Sequence, residues 1–320
     1  MPLVDMPLEK LKQYQGRNPR PDDFDEFWNA SLAELDGVDP APNFEYYEYP
    51  CAVADAYDLT FTSTKGAIIH AKFMKPKNIE GKIPAVLLFH GLSGRAPDWH
   101  EMIKYAAQGF VVAGMDARGQ SGFSQDVGGV PGTTFCTPFM RGFDGKPSDL
   151  LQRDMFLDTA QFARVIMALD YVDETRVAAT GGSQGGALSL SCASLVPEIK
   201  LCAPIFPYLC DYKRVWEMDL AKGAYDGIKY YLRSYDPTHE HIDEFFTKLG
   251  YIDLQFLVPR IKANVYMSTG LMDTTCPPST QFAAYNKITA EKKMEIYPDF
   301  GHEGLVGAPD RIYTYICKNL

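Results

Sequence analysis

A serine sits at the centre of Gly181-Gly182-Ser183-Gln184-Gly185, a Gly-x-Ser-x-Gly pentapeptide between the apolar run 177–179 and an apolar helix opening at Ala187. Small neighbours are what a sharp strand-to-helix turn needs, because side chains there would strike the strand or the helix. Such a turn lifts the hydroxyl above a sheet and places it at a helix N-terminus, where N–H groups favour developing negative charge. A serine hydroxyl is a weak nucleophile until a base takes its proton. With this kind of elbow, an orienting acid and then a histidine base follow the serine in the chain. Asp273, just past the apolar run 265–268, is the expected acid, and His302, between the last apolar run and the final helix, is the expected base.

The competitors are weaker. Asp211 also follows a strand-like run and is the second choice of acid, whereas Asp299 is too close to His302 on one loop. His90 precedes Ser183 and is expected to support the loop after it. His239 and His241 lie in a charged stretch, His70 alternates with strand residues and His100 begins a helix. The oxyanion of acyl transfer needs two backbone donors. Gln184, after the serine, is expected to give one, and Leu92 in His90-Gly91-Leu92-Ser93-Gly94 the other. Arg118-Gly119-Gln120 sits at another strand end, where a guanidinium and an amide either touch substrate or tie loops together. The structural role is the expected one.

The elements that must position these residues are legible as short apolar runs at 85–89, 110–115, 177–179, 201–206, 265–268 and 294–297. Helical segments at 98–108, 150–172, 184–195, 277–289 and 308–318 alternate with them. Apolar strands alternating with amphipathic helices predict a doubly wound α/β fold around a mostly parallel sheet. In 150–172 the apolar face is expected to be Met155, Phe162, Ile166 and Leu169. Residues 45–74 read as antiparallel strands, β-rich at 57–63 and 67–74 and broken at Lys65-Gly66. The segment 8–36 reads as an N-terminal helix held by Phe24, Phe27 and Trp28. A stretch at 211–260, too long for a simple crossover, predicts a helical insertion acting as lid or subunit contact. The whole of 1–320 is expected to form one domain, with 1–40 as its helical extension.

Composition narrows the function classes. The net charge is -10, with no basic cluster, which argues against a nucleic-acid partner. No run approaches the roughly 18 apolar residues that span a bilayer, and the charged N-terminus does not read as a signal peptide. Seven scattered cysteines suit reduced thiols in the cytoplasm better than a disulfide framework. No Cys-x-x-Cys or His/Cys spacing predicts a metal, and Cys276 is expected to be a small buried thiol.

Taken together, these motifs resemble the cephalosporin C deacetylase and acetyl xylan esterase family, carbohydrate esterase family seven. The likeness rests on Arg118-Gly119-Gln120, the elbow extended to Gly186, Gly270-Leu271-Met272-Asp273 with Cys276-Pro277-Pro278-Ser279-Thr280, and His302-Glu303. It covers nearly the whole chain, including Tyr14-Gln15-Gly16 and Phe24-Asp25-Glu26-Phe27-Trp28. The resemblance implies an α/β-hydrolase fold, a Ser183-Asp273-His302 triad and hydrolysis of acetyl esters of small substrates such as xylo-oligosaccharides or cephalosporin C. It also implies no cofactor, a cytoplasmic location and a homo-hexamer. Leu92 stands where the family often has Tyr. Two other readings share the elbow: a peptidase of the prolyl oligopeptidase type, whose usual extra domain is missing, and a non-catalytic hydrolase fold, which commonly lacks a triad member.

Overall fold

The computed structural model describes residues 4–130 and 137–320; Cys136 lies outside them. Among the described residues, nine strands build one sheet. They are β1 (Asn43–Tyr47), β2 (Ala54–Thr62), β3 (Ile68–Pro76), β4 (Ile83–Phe89), β5 (Val111–Met115), β6 (Val172–Gly182), β7 (Leu201–Ile205), β8 (Asn264–Gly270) and β9 (Lys292–Tyr297). The spatial order is β1-β2-β3-β5-β4-β6-β7-β8-β9. Pairing is antiparallel from β1 through β3 to β5 and parallel from β5 to β9.

The helices are α1 (Leu8–Leu11), α2 (Phe24–Asp36), α3 (Trp99–Ala106), α4 (Leu151–Met167), α5 (Gln184–Leu195), α6 (Tyr212–Glu217), α7 (Asp226–Tyr235), α8 (Ile242–Gly250), α9 (Leu254–Leu257), α10 (Pro278–Lys287) and α11 (Ala308–Asn319). No helix among the described residues is long and apolar enough to cross a membrane.

Strand β4 shows why both faces of the sheet are covered. Successive side chains on a strand point to opposite faces. Ala85, Leu87 and Phe89 enter the core shared with α4 and α5, while Val86 and Leu88 enter the core shared with α3 and α11. Each fully buried Leu or Phe contributes about 1.5–3 kcal/mol, so a strand apolar on both faces is fixed in register. From β4 the chain crosses to β5 on one side, and β6 pairs on the other. The sheet order thus reverses at β4, and ligands of open α/β sheets bind outside the carboxyl ends of strands at such a point. Phe89 pairs with Gly181 there, which sets the loop after β4 beside the serine turn.

Two expectations are corrected. Helix α4 is not amphipathic in the expected way: Arg153, Asp154 and Asp158 are buried along with its apolar residues. Its charges face ionic partners inside the protein, as described below. The N-terminal helix is two helices, because Gly16 (φ 86°) and the prolines Pro19 and Pro21 intervene. The aromatics do anchor α2: Phe24 and Trp28 are fully buried, and Trp28 Nε1 donates to the Tyr251 carbonyl at 2.9 Å.

Between β7 and β8 lie α6 to α9. They pack around Tyr225, a fully buried ring 4.5 Å from that of Tyr208 and 5.9 Å from that of Tyr212. The Tyr225 hydroxyl accepts the Leu209 N–H at 3.1 Å. The aromatic residues of this segment are continuous with the core beneath α4 and α5.

Candidate active site

Ser183 sits between the end of β6 and the start of α5 with φ 58° and ψ -119°, a strained backbone for a residue with a side chain. Its N–H donates to Ile205 O at 3.0 Å, and its carbonyl accepts the N–H groups of Ala187 and Tyr208. The glycines are required by contact. A Cβ on Gly185 would lie 2.1 Å from Phe89 O, and one on Gly181 would lie 2.4 Å from the same atom. The elbow can press against β4 because it is bare there.

Three side chains from separate loops meet at the serine. His302 Nε2 lies 2.9 Å from Ser183 Oγ, and His302 Nδ1 lies 2.8 Å from Asp273 Oδ2. Asp273 is buried, and its other oxygen accepts the N–H groups of Thr275 and Cys276, both at 2.8 Å. The acid is thus held on the turn after β8 and the histidine on the loop after β9. The Phe206 ring, 4.6 Å from the imidazole centroid, packs beside it. A hydroxyl, an imidazole and a buried carboxylate in this order can carry a proton from serine to histidine while the acid fixes the tautomer.

The competing residues go elsewhere. Asp211 takes the Tyr14 hydroxyl at 2.8 Å and the N–H groups of Arg17 and Asn18 at 2.9 and 2.8 Å, so it pins the N-terminal segment. His70 bridges Asp116 at 2.7 Å and Asp58 at 3.1 Å. His239, His241, His100 and Asp299 are exposed. His90 supports the loop after β4. Its Nε2 accepts the Ala117 N–H at 2.9 Å, so the proton sits on Nδ1, which donates to Gly91 O at 2.7 Å. Burial keeps this ring neutral by lowering its pKa, against the opposing effect of the Gly91 bond.

Gly91 lies against the serine turn; a Cβ built on it would be 3.8 Å from Gly182 O. Leu92 follows, half-buried. The Gln184 N–H, in the first turn of α5, has no intrahelical acceptor. Leu92 and Gln184 thus lie on adjoining segments beside the serine turn.

Residues 1–319 match the family described as Acetyl xylan esterase (AXE1). The chain belongs to the acetyl xylan esterase family. That family is one of carboxylic ester hydrolases, and the sheet order and serine turn are those of the α/β-hydrolase fold. Acetyl xylan esterase 1 from Thermoanaerobacterium sp. JW/SL YS485 is 50% identical, with TM-score 0.96 over 98% of this chain and 99% of that one. An acetyl xylan esterase from Paenibacillus sp. R4 is 33% identical, with TM-score 0.93 over 98% of this chain and 100% of that one. Acetyl esterase Axe7A of Xylanibacter ruminicola is 29% identical over 91% of this chain, and the chain spans 64% of that relative's length.

In this member of the family, Arg118 and Gln120 act at one remove from the serine. Arg118 is fully buried, with Nε and Nη2 on the two oxygens of Asp158 at 2.7 and 2.5 Å. Asp154 lies 3.8 Å from its Nη1. This ionic cluster fastens the loop after β5 to α4. Arg118→Met leaves Asp158 buried without its partner, so unfolding in urea is expected to show a loss of about 3–5 kcal/mol. Replacing Asp158 by Leu in the same chain is expected to recover part of that loss.

Gln120 ties the two halves of the candidate oxyanion site together. Its Oε1 accepts the Ser93 N–H at 2.7 Å, and its Nε2 donates to Gln184 Oε1 at 2.8 Å. The Gln184 amide returns a bond to Gln120 Oε1 at 3.1 Å. Ser121 Oγ also donates to Ser93 O at 2.5 Å. Sequence reasoning placed Gln120 in a loop tie without finding its partners. Gln120→Leu frees the residue after Leu92 and leaves a buried amide unpaired. Losing an oxyanion donor outright costs about 10²–10³ in kcat. Loosening one is expected to lower kcat about tenfold with KM little changed, as steady-state kinetics on an acetate ester would show. Gln120→Glu, which keeps the acceptor for Ser93, is expected to fall between the two.

Proposed function

We propose that this chain is a serine esterase that removes acetyl groups from small acetylated sugars through an acetyl-Ser183 intermediate. The observation that carries the reading is the hydrogen-bonded series Ser183, His302 and Asp273, at 2.9 and 2.8 Å, in a chain of the acetyl xylan esterase family. In the reaction, His302 takes the Ser183 proton as Oγ attacks the acetyl carbonyl. Asp273 holds Nδ1–H and stabilises the imidazolium, and the N–H groups of Leu92 and Gln184 receive the oxyanion. The imidazolium then protonates the departing alcohol. Water, activated by the same histidine, releases acetate and restores the serine.

The substrate class draws on the named relatives, two of them acetyl xylan esterases and one an acetyl esterase. Size supports it as well. A cavity of about 510 Å³ adjoins the candidate oxyanion loop, lined by Leu92 and Ser93 on one side and by Gly227 and Tyr230 of the helical insertion on the other. That volume falls within the usual 300–1,000 Å³ of small-molecule sites, suiting a short acetylated oligosaccharide or cephalosporin C better than a polymer. The same reading takes the chain as a cytoplasmic homo-hexamer. Self-association would cover exposed apolar residues such as Tyr46, Phe123 and Val306, and light scattering on the purified protein measures it.

The test is a substrate panel with acid-quenched mass spectrometry. Acetylated xylo-oligosaccharides and cephalosporin C are expected to turn over faster than esters of longer acids and than a proline anilide. A single acetyl group is expected on the peptide carrying Ser183. Cleavage of the anilide with no turnover of acetyl esters would overturn the proposal.

A further inference from the structure

One reactive group at the site has no part in the proton relay. Cys276 follows Asp273 on the turn after β8, and its N–H is one of the two that hold Asp273 Oδ1, at 2.8 Å. Its side chain is fully buried. Ligand atoms of Asp273, Cys276 and His302 all lie within 4.8 Å of one another. A carboxylate oxygen, a sulfur and an imidazole nitrogen therefore surround one point. No sequence spacing announces the group, because Asp273 and His302 are 29 positions apart on different loops.

That donor set has a definite preference. Thiolate and imidazole together select zinc and its softer relatives over magnesium or calcium, which take oxygen ligands. Zinc holds sulfur at about 2.3 Å and nitrogen or oxygen at about 2.0–2.2 Å in a tetrahedron. Donors in such a shell lie about 3.3–3.6 Å apart, so the His302–Asp273 pair, at 2.8 Å, opens slightly and any pair near the 4.8 Å limit closes, shifts that side-chain rotation on two loops can supply.

We propose that Asp273, Cys276 and His302, with a solvent water as fourth donor, form a latent site for a soft divalent cation such as Zn²⁺ or Cd²⁺, and that filling it stops the esterase. The charges balance. The thiol releases one proton to solvent, thiolate and carboxylate neutralise the cation, and the imidazole binds as the neutral ring. Whichever imidazole nitrogen ligates, the relay is broken. Binding through Nε2 removes the lone pair that takes the serine proton, and binding through Nδ1 displaces the Asp273 bond that sets the tautomer. The cation enters from the substrate side, where the His302 side chain is 22% exposed.

The experiment titrates chelator-treated full-length enzyme with Cd²⁺. Cys51 and Cys317 are partly exposed, so they and Cys136 are first replaced by serine. Three signals are followed: the ultraviolet charge-transfer band of a cadmium thiolate, fluorophosphonate labelling of Ser183, and turnover of 4-nitrophenyl acetate. The band is expected to grow as labelling and turnover fall together, and EDTA is expected to reverse all three. In Cys276→Ala the band should vanish, and inhibition should need about 10–100-fold more Cd²⁺, the range that even an outer-shell partner commands. Cys276→Ser, closer in volume, is expected to behave alike and covers the case in which alanine does not fold. Each variant is scored against its own metal-free rate. Equal Cd²⁺ sensitivity with and without the Cys276 thiol would overturn the site. The absorption signal needs no turnover, so failure of the esterase reading and failure of the cation site give different results.

Discussion

Ser183→Ala is expected to lower kcat on an activated acetate ester by about 10⁶-fold, the scale on which removing a triad nucleophile acts. The substitution deletes one oxygen, which is the acceptor or donor facing His302 Nε2 at 2.9 Å. Its fold connections are all backbone: Ser183 N–H to Ile205 O, and the Ala187 and Tyr208 N–H groups to Ser183 O. Alanine keeps each of them, and at φ 58° it is no more strained than serine. Thermal unfolding is therefore expected at or slightly above the parent temperature, because strain and an unmatched polar group at a functional site cost stability. Fluorophosphonate labelling should disappear with the activity. A variant that kept full turnover would leave the serine mechanism without its nucleophile and sink the proposal.

Why the elbow and the series behind it can be read in the sequence follows from contacts. Gly181 and Gly185 are bare because each presses on Phe89 O. A requirement imposed by backbone approach leaves its mark as a residue type at a fixed position. Asp273 and His302 are legible because each lies just beyond an apolar run, and the parallel sheet brings the ends of β6, β8 and β9 to one edge. The strand runs themselves are visible because β4, β5, β7, β8 and the 177–180 part of β6 are buried on both faces, so they are continuous in hydrophobicity.

What was hidden depends on partners distant in the chain. The charges of α4 look like a solvent-facing stripe until Arg118 is found bonded to Asp158, 40 positions away. Arg153 is likewise turned inward, with its guanidinium on Glu34 and on Ser31 Oγ. Helix periodicity reports hydrophobicity, and an ionic pair with both members buried reverses its meaning. Gln120 was ambiguous for a related reason. An amide beside a strand end reads the same whether it faces a substrate or, as here, Gln184 and the Ser93 N–H. Strand β1 was missed in part because it is the sheet edge and mostly exposed, with no apolar alternation to mark it. In the N-terminal segment the aromatics were a true packing signal, while the break between α1 and α2 was written in Gly16, Pro19 and Pro21.

The second large effect separates the two carboxylates that follow strands. Asp273→Asn is expected to lower kcat about 10⁴-fold, as loss of the tautomer-setting acid does elsewhere. The side chain is isosteric, and its oxygen can still accept the Thr275 and Cys276 N–H groups that now bond Oδ1. That choice turns the new NH₂ toward His302. Nδ1 must then accept rather than donate, so the ring's proton moves to Nε2, where it faces Ser183 Oγ. A base that already carries a proton at that nitrogen cannot take another from the serine at neutral pH. Asp211→Asn provides the contrast. Its carboxylate serves Tyr14, Arg17 and Asn18, so weakening those charge-assisted bonds is expected to cost about 1–3 kcal/mol of stability with kcat little changed. Steady-state kinetics and urea unfolding on the two variants should therefore move in opposite columns: rate without stability for Asp273, stability without rate for Asp211. A large rate loss in Asp211→Asn with a small one in Asp273→Asn would reverse the assignment of the acid, and no rearrangement of the loops short of exchanging the partners of His302 would then restore it.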